Sequence, residues 1–283
     1  MPRPMSRRAF VIGQPIGHSR SPLIHGHWLA RYGIEGSYER ADVAPGELGA
    51  FVRRIGPSEF CGGNVTIPHK EAVLRLTDEA TARARRLGAA NTLWLEDGRL
   101  LADTTDGEGF LASVAGVVGP GWERGVETAL VLGAGGAARS IVGALLDLGI
   151  ERIVVANRTE ARAAEIAGFA PGRIQTAGWN AVEHALAEAD LLVNTSAAGM
   201  AGQAALDLDL AGLRETAIVA DIVYVPLETG LLAAARRRGL RTVDGLGMLL
   251  HQAVPGFERW FGVRPDVTGE LRALVEADLR QAE

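Results

Sequence analysis

The sequence is short of lysine, cysteine, aromatic residues and long apolar runs, and each shortage excludes a class of protein. Its 283 residues include one cysteine, which excludes an intrachain disulfide and favours a reducing compartment. Aromatic residues make up 5% of the chain, and no apolar run approaches the length of a membrane span or a signal-peptide core. The net charge of −5 disfavours nonspecific nucleic-acid binding. We therefore expect a globular, cytoplasmic protein without nucleic-acid or membrane partners.

Lysine is the scarcest of the charged residues. Lys70 is the only lysine among 29 basic residues, and the others are all arginine. Arginine replaces lysine as a surface charge or an ion-pair partner, but its guanidinium stays charged, whereas an ammonium can be tuned to give up a proton. Lys70 is therefore a candidate for proton chemistry, and composition alone leaves drift as the alternative. The single cysteine, Cys61, has no base or oxyanion motif nearby and is expected to be a small core residue.

Short apolar strands and helical stretches alternate along the chain. The first third predicts strands at 9–13 and 62–67, a helix over 23–32 that Ser21 caps, a helix over 79–87, and a hairpin that turns at Asp97-Gly98. After a glycine-rich break near 117–125, a continuous apolar strand is predicted at 128–132, a helix at 140–148 and strands at 152–156, 191–193 and 218–220. From Leu246 onward the pattern is helical. The second part has the alternation of a parallel α/β sheet.

A glycine loop lies between the first strand and the first helix of this second part. It reads Gly133-Ala134-Gly135-Gly136-Ala137-Ala138. In a dinucleotide-binding loop the first glycine permits a tight turn, the second lets the backbone approach a pyrophosphate, and a small third residue lets helix and strand pack closely. The strand-loop-helix setting favours dinucleotide binding over a plain tight turn.

The end of the next strand indicates which dinucleotide is bound. An NAD site usually has Asp or Glu there to accept a hydrogen bond from the ribose 2′-hydroxyl. This chain has Asn157-Arg158-Thr159, with Arg162 one helical turn later. A carboxylate would repel a 2′-phosphate, whereas arginine pairs with it, so we infer NADP rather than NAD. The alternative is that Arg158 only solvates the helix start.

Polar residues gather in three segments of the first part. Ser19 and Ser21 precede a helix whose N-terminus, with the two hydroxyls, forms a cradle for a carboxylate or phosphate. The second segment closes a strand with Asn64 to Lys70, and the third contains Asn91 and, further on, Asp106. Ser21 is also explained as a simple helix cap.

Six motifs in this order make the chain resemble the shikimate dehydrogenase family over nearly its whole length. They are Gly17-His18-Ser19-Arg20-Ser21-Pro22, Asn64-Val65-Thr66-Ile67-Pro68-His69-Lys70-Glu71, Ala90-Asn91-Thr92, Thr105-Asp106-Gly107, Asn157-Arg158-Thr159 and Asp244-Gly245-Leu246-Gly247-Met248-Leu249. The resemblance implies NADPH-dependent reduction of 3-dehydroshikimate to shikimate in aromatic amino-acid biosynthesis.

The resemblance also implies roles for individual residues. Lys70 and Asp106 match the catalytic pair. The matching substrate-binding positions are Ser19, Ser21, Thr66, Asn91, Tyr224 and Gln252. The matching cofactor positions are Gly133, Ala134, Gly135, Gly136, Ala137, Asn157, Arg158, Thr159, Arg162, Gly245 and Met248. No metal site is expected, since His25 and His27 lie on different helix faces.

Three positions depart from the family pattern. Thr104 stands where asparagine is usual, which bears on substrate preference. The segment Asn194 to Met200 departs from the usual family pattern, which bears on nucleotide contacts. His69 stands where an aromatic residue is common, and we expect it at the surface or behind the reacting groups rather than in the chemistry.

The fold expected is α/β with two domains, an α/β substrate domain and a Rossmann-type doubly wound parallel sheet that binds NADP, with a cleft between them. The predicted bounds are 1–107 with 246–283 for the substrate domain and 108–245 for the NADP domain. The alternatives are a quinate or aminoshikimate dehydrogenase, a folate-type dehydrogenase, and a catalytically silent NADP-binding regulator. The sequence leaves monomer and homodimer open.

Overall fold

The structure is a computed structural model that describes residues 7–56 and 58–282. The chain divides into two compact units, Met1–Thr105 with Gln252–Glu283, and Asp106–His251. The outermost limits of the predicted substrate domain, residues 1 and 283, lie outside the described residues. The borders predicted from the sequence at 107 and 246 stay predictions.

The first unit contains a six-stranded mixed sheet in the order β2-β1-β3-β5-β6-β4. Its elements up to the crossover are β1 (Arg7–Gly13), α1 (Ser21–Tyr32), β2 (Gly36–Asp42), α2 (Leu48–Val52), β3 (Gly62–Val65), α3 (Lys70–Val73), β4 (Glu79–Ala80), α4 (Ala82–Leu87), β5 (Thr92–Glu96) and β6 (Arg99–Asp103). Strand β1 pairs in parallel with β2 and β3, and β5 runs antiparallel to β3 and β6. The predicted hairpin is confirmed: Asp97 and Gly98 both have positive φ, at 51° and 76°.

Two helix starts in this unit differ from the sequence-based predictions. The N-cap of α1 is Arg20, and Ser21 is the first helical residue, so the prediction that Ser21 caps the helix is wrong. Helix α4 starts after Thr81, whose hydroxyl accepts a hydrogen bond from the Ala84 backbone N–H. Residues 79 and 80 form β4 instead of the predicted helix because they pair with β6. At the start of α1 the cap is a neighbouring residue, and at β4 the backbone partner is another strand. The local sequence pattern shows neither.

The second unit contains a fully parallel six-stranded sheet in the order β12-β11-β10-β7-β8-β9. Its elements are α5 (Asp106–Val118), β7 (Thr128–Leu132), α6 (Gly136–Leu148), β8 (Arg152–Ala156), α7 (Glu160–Ala167), β9 (Ile174–Ala177), α8 (Val182–Leu186), β10 (Leu191–Asn194), β11 (Ile218–Asp221), α9 (Gly230–Arg237), β12 (Arg241–Val243) and α10 (Gly245–His251). The strand order reverses between β7 and β10, which is where doubly wound sheets bind ligands. The predicted Rossmann-type sheet is confirmed.

Strand β7 shows why this sheet is apolar throughout. Val131 faces one hydrophobic cluster, and Leu130 and Leu132 face another on the opposite side of the sheet. All three side chains are fully buried. A parallel strand covered by helices on both faces needs apolar residues at every position, which is the pattern that predicted it.

Two C-terminal helices, α11 (Val254–Phe261) and α12 (Gly269–Ala282), belong to the first unit. Trp260 of α11 is 2% exposed, and its indole N–H donates to the Leu93 carbonyl of β5 at 2.7 Å. Phe257 packs edge-on against Trp28 of α1, with 5.3 Å between ring centroids. Helix α11 is thus anchored to both the sheet and α1. This holds Gln252, just before α11, against Asn91 at the start of β5.

Candidate active site

Lys70 is the first residue of α3, the helix that follows β3. Its carbonyl accepts from the Ala90 backbone N–H at 2.8 Å. The preceding His69 is 1% exposed, and its Nε2 lies 2.7 Å from the Val43 carbonyl oxygen. Since a carbonyl only accepts, Nε2 carries the proton. His69 is therefore buried and fixes the start of α3. The prediction that His69 lies at the surface is wrong.

Asn91 is the centre of a buried hydrogen-bond network at the start of β5. Its side-chain Oδ1 accepts from the Thr105 backbone N–H at 2.8 Å, and its Nδ2 donates to Gln252 Oε1 at 3.2 Å. The Thr105 hydroxyl donates to the Gln252 backbone carbonyl at 2.9 Å. Asn91 and Gln252, both predicted to bind substrate, are therefore brought together, and Thr105 fixes the orientation of the Asn91 amide.

Tyr38 and Asn64 extend this network across the sheet. The Tyr38 hydroxyl donates to Asn64 Oδ1 at 2.6 Å, and Asn64 Nδ2 donates to the Asn91 backbone carbonyl at 3.1 Å. Burial raises the pKa of Tyr38 well above its usual value, and interactions with Asn64 and Ser21 oppose that rise. Each Asn64 amide atom thus has a defined protein partner, which orients the amide toward Asn91.

A buried histidine supports the Tyr38 ring. His25 is fully buried and stacks on Tyr38 with 3.9 Å between ring centroids and an interplanar angle of 14°. Burial lowers the pKa of His25 to about 3, and neither ring nitrogen has a hydrogen-bond partner among the described residues. The imidazole is therefore neutral at physiological pH and acts as a flat packing partner.

The two serines of the predicted cradle lie at the N-terminus of α1. Ser19 Oγ accepts from the Ser21 backbone N–H at 3.3 Å. The guanidinium of Arg40 donates to the Ser19 carbonyl through Nε at 2.9 Å and Nη2 at 2.6 Å. Arg20 forms an ion pair with Asp278 of α12. These contacts hold the serine segment from both sides, so its shape is set before a ligand arrives.

A buried ion pair anchors the end of β6. Asp103 is 1% exposed, and its carboxylate accepts from Arg83 at 2.7 and 2.6 Å and from the Thr81 hydroxyl at 2.6 Å. The Asp103 carbonyl accepts from the Asn91 backbone N–H at 2.9 Å. Burial raises the pKa of Asp103, but hydrogen bonds from Arg83 and Thr81 outweigh it, so the net pKa is lowered. Asp103 therefore secures both Asn91 and the segment that leads to Asp106.

The glycine loop of the second unit fits a dinucleotide phosphate. Gly133 has a φ of 107°, and a Cβ there would lie 2.7 Å from the Thr195 hydroxyl. Gly135 is the N-cap of α6, and a Cβ there would meet nothing within 4 Å. The loop is therefore tight on its protein side and open at the helix N-terminus, where backbone N–H groups and the helix dipole favour an anion.

The end of β8 presents cations to solvent. Arg158 is exposed and forms no ion pair with any residue in 7–56 and 58–282. Thr159 is the N-cap of α7, and its carbonyl accepts from Asn157 Nδ2 at 2.9 Å and from the Arg162 backbone N–H at 3.1 Å. An uncompensated cation at a helix N-terminus opposes the helix dipole, and an anionic ligand relieves that cost. This arrangement fits a 2′-phosphate.

Asp221 joins two loops that carry predicted site residues. Its carboxylate accepts from Asn194 Nδ2 at 2.9 Å, from the Val223 backbone N–H at 3.0 Å and from the Thr229 hydroxyl at 2.7 Å. Burial raises the pKa of Asp221. These contacts fix the segment that presents Tyr224 and the turn after β10.

The remaining predicted cofactor positions, Gly245 and Met248, lie in α10 of this unit, and the departing segment follows β10. Gly245 packs on the Ile222 carbonyl so closely that a Cβ would lie 2.3 Å from it. Met248, in the same helix, is 7% exposed. In the departing segment Asn194 to Met200, the Ser196 backbone N–H and hydroxyl donate to Asn194 Oδ1 at 3.1 and 2.7 Å. The segment therefore forms an ordered turn, although its sequence departs from the family pattern.

Several residues that organise the site have no role predicted from the sequence. Asn64 lies inside one of the six motifs, and Asp221 ends the strand β11. Their polar character in a strand was the available signal. Tyr38 lies in β2, a strand the sequence did not predict, and Asp103 takes its partner Arg83 from 20 residues away. Neither of these two has a local signal.

Comparison with known proteins identifies the family. Three family domains match: the shikimate dehydrogenase substrate binding domain over residues 11–93, the shikimate/quinate 5-dehydrogenase domain over 123–206, and the shikimate 5′-dehydrogenase C-terminal domain over 245–274. A protein of Methylobacterium radiotolerans named shikimate dehydrogenase (NADP(+)) is 60% identical over 96% of this chain and 97% of its own length. The chain belongs to the shikimate dehydrogenase family. The predicted resemblance is confirmed.

Solved structures of the shikimate dehydrogenase family share the fold. Shikimate 5-dehydrogenase of Thermus thermophilus, solved with NADP(H) and shikimate, is 35% identical with a TM-score of 0.84, over 98% of this chain and 100% of that one. Quinate dehydrogenase of Corynebacterium glutamicum, solved with NAD, is 30% identical with a TM-score of 0.87, over 96% and 99%. The fold is therefore compatible with either substrate and either dinucleotide. The preference of this chain for one substrate and one dinucleotide must be inferred from the residues of its site.

The structure also bears on metals, membranes and the single thiol. Within residues 7–56 and 58–282, no group of three or more His, Cys, Asp or Glu side chains is arranged to hold a metal ion. Among the same described residues, none of the helices combines the length and apolar character needed to cross a membrane. Cys61 donates through Sγ to the Arg8 carbonyl at 3.2 Å, and burial raises its pKa to about 11. The thiol is therefore protonated at neutral pH, which fits a packing role rather than a nucleophile.

Proposed function

We propose that this chain catalyses the reversible NADPH-dependent reduction of 3-dehydroshikimate to shikimate. The observation that carries the proposal is its near-full-length similarity to relatives named shikimate dehydrogenase (NADP(+)). Arg158, exposed and without an ion pair among the described residues, supports NADP over NAD. We place the reaction in the cytoplasm, carried out by a monomer or a homodimer.

We propose Lys70 and Asp106 as the catalytic residues. Reduction of the ketone places negative charge on its oxygen, which then takes a proton. An ammonium stabilises that charge and supplies the proton, so Lys70 is the general acid. Asp106 is the first residue of α5 and is 4% exposed. We assign its carboxylate to a hydroxyl of the substrate, which donates to it.

The substrate carboxylate and hydroxyls need different partners. Ser19 and Ser21, at the N-terminus of α1, suit the carboxylate because hydroxyls and the helix end both favour an anion. Asn91 and Gln252 suit the ring hydroxyls because amides both donate and accept. We assign Thr66 and Tyr224 to the same substrate. The tight network around Asn91 supports this assignment, since a preorganised amide loses little entropy when substrate binds.

NADPH, when bound, would supply the hydride that the ketone carbon accepts, leaving NADP⁺. The residues proposed to hold its pyrophosphate are in the glycine loop, Gly133 to Ala137. Asn157, Arg158, Thr159 and Arg162 are assigned to the 2′-phosphate and its ribose. Gly245 and Met248, at the start of α10, are assigned to the remaining contacts. The open N-terminus of α6 supports the pyrophosphate assignment.

A two-by-two assay tests the proposal. Shikimate and quinate are each oxidised with NADP⁺ and with NAD⁺, and kcat/KM is measured for all four pairs. We expect the shikimate and NADP⁺ pair to have the highest value. Preference for quinate would assign the chain to quinate oxidation, consistent with Thr104 departing from the family pattern. Measurable NADPH binding with no turnover of either substrate would instead indicate a regulator.

Replacing Arg158 with alanine is expected to raise the KM for NADP⁺ about thirtyfold, because a charge-assisted hydrogen bond contributes about 2 kcal/mol. The KM for NAD⁺ should change little, since NAD⁺ has no 2′-phosphate. Arg237→Ala is the matched control, because Arg237 is an exposed arginine in α9 of the same unit. An equal loss with both dinucleotides would contradict the assignment of Arg158 to the phosphate.

A further inference from the structure

Trp179 is unlike the other tryptophans in the chain. It is 40% exposed, whereas Trp28, Trp94, Trp122 and Trp260 are all at most 8% exposed. Within residues 7–56 and 58–282 it has no stacking or cation–π partner. A large, rigid aromatic ring with a free face is well suited to contact a ligand that is itself planar and apolar.

The register of the sheet places Trp179 beside Arg158. Strands β8 and β9 are parallel neighbours, and Ala156 pairs with Ala177 where both strands end. Arg158 and Trp179 each lie two residues beyond these paired alanines. Adjacent strands are about 4.8 Å apart, so the two residues leave the sheet side by side at its carboxyl edge.

A close backbone approach keeps the Trp179 turn against α7. A Cβ on Gly178 would lie 3.3 Å from the Glu160 carboxylate and 2.8 Å from the Asn180 side chain. Gly178 therefore lets the turn that carries Trp179 reach the first turn of α7, just after Arg158 and Thr159. The exposed ring belongs to the same end of the sheet as the arginines.

We propose that Trp179 is a stacking face for the adenine of the dinucleotide. The inference rests on the proposed function, because the 2′-phosphate assigned to Arg158 is attached to the adenosine ribose. Adenine is the only aromatic group in that half of the molecule, and base–aromatic stacking is sequence-independent and needs only a free ring face. Arg158 and Trp179 then have separate roles. Arg158 selects the dinucleotide that carries a 2′-phosphate, and Trp179 binds the adenine base.

Coenzyme binding to the full chain tests the inference. NADPH and NADH are titrated by calorimetry into the wild type, Trp179→Leu, Trp179→Phe and Arg158→Ala. We expect Trp179→Leu to weaken both coenzymes by the same factor, about tenfold. Trp179→Phe should restore most of the affinity. Arg158→Ala should weaken NADPH alone. In steady-state assays of Trp179→Leu, the KM for NADP⁺ should rise while kcat and the KM for shikimate stay unchanged.

Tryptophan fluorescence gives a second readout. Addition of NADP⁺ should quench the wild-type emission, and the quenching should be lost in Trp179→Phe. Trp122→Phe, which removes a buried tryptophan of the same unit, should keep it. Unchanged coenzyme affinity in a folded Trp179→Leu would overturn the inference, and so would a loss confined to NADPH, since Trp179 would then act through Arg158. If the wild type fails to oxidise shikimate, the proposed function fails, while the titrations still decide the role of Trp179.

Discussion

Replacing Lys70 with alanine is expected to lower kcat for shikimate oxidation by a factor of about 10² to 10⁴, the usual contribution of a general acid or base. The dissociation constant of NADPH should be nearly unchanged, because the proposed cofactor residues lie in the other unit of the chain. Stopped-flow or steady-state kinetics gives the first quantity, and calorimetric titration gives the second. Retention of most of the activity would exclude Lys70 as the proton donor.

Two variants separate proton transfer from charge. Lys70→Arg keeps the positive charge but places a guanidinium that does not release its proton, so it should recover little of the lost kcat. If it restores most of the activity, Lys70 acts by charge alone. Arg75→Ala is the matched control, since Arg75 is an exposed cation just beyond α3. It should leave kcat unchanged.

Replacing Asp103 with asparagine is expected to lower the free energy of unfolding by about 3 kcal/mol at pH 7, because it leaves the guanidinium of Arg83 without its buried counter-charge. The side chain of Asp103 is 2% exposed, and that of Arg83 is 31% exposed. Urea denaturation followed by circular dichroism measures the difference. Glu79→Gln is the control, because its partner Arg99 and Glu79 itself are about half exposed, and such pairs contribute at most about 1 kcal/mol.

The effect of Asp103→Asn should depend on pH. The pKa of Asp103 in the folded chain is lowered below its unfolded value of about 3.9. A carboxyl group with a depressed folded pKa contributes its full stability above the unfolded pKa and loses it as pH falls through the folded pKa. The gap between wild type and Asp103→Asn should therefore be constant from pH 7 to about pH 5 and shrink below about pH 4. A gap that grows in acid would contradict this sign.

Some elements could be predicted because their signals are local. Strands β7 and β8 occur at the predicted residues, since an unbroken apolar run between helices needs no information from elsewhere in the chain. The hairpin at Asp97-Gly98 follows from the backbone geometry of two adjacent residues. The family was also predictable, because its motifs are short and occur in a fixed order.

Other elements could not be predicted because their cause is distant in sequence. Strand β2 reads Gly-Ser-Tyr-Glu-Arg-Ala-Asp, a polar edge strand with no clear alternation, and only its pairing with β1 forms it. Residues 79–80 have a helical pattern, but β6 pairs with them as a strand. His69 is polar and follows a turn, and only the position of the Val43 carbonyl makes it a buried donor.

The sequence by itself determined the family and the doubly wound sheet and marked the single lysine as a candidate for proton chemistry, because glycine turns, apolar periodicity and residue type act over a few neighbouring positions. The tertiary structure alone decided the partners: Tyr38 for Asn64, Arg83 for Asp103, and Trp179 beside Arg158. A buried polar group costs free energy unless a partner meets it, and the fold brings that partner from any distance along the chain. The sequence therefore indicates candidate residues for the reaction, whereas the residues that hold them in place are seen only in the fold.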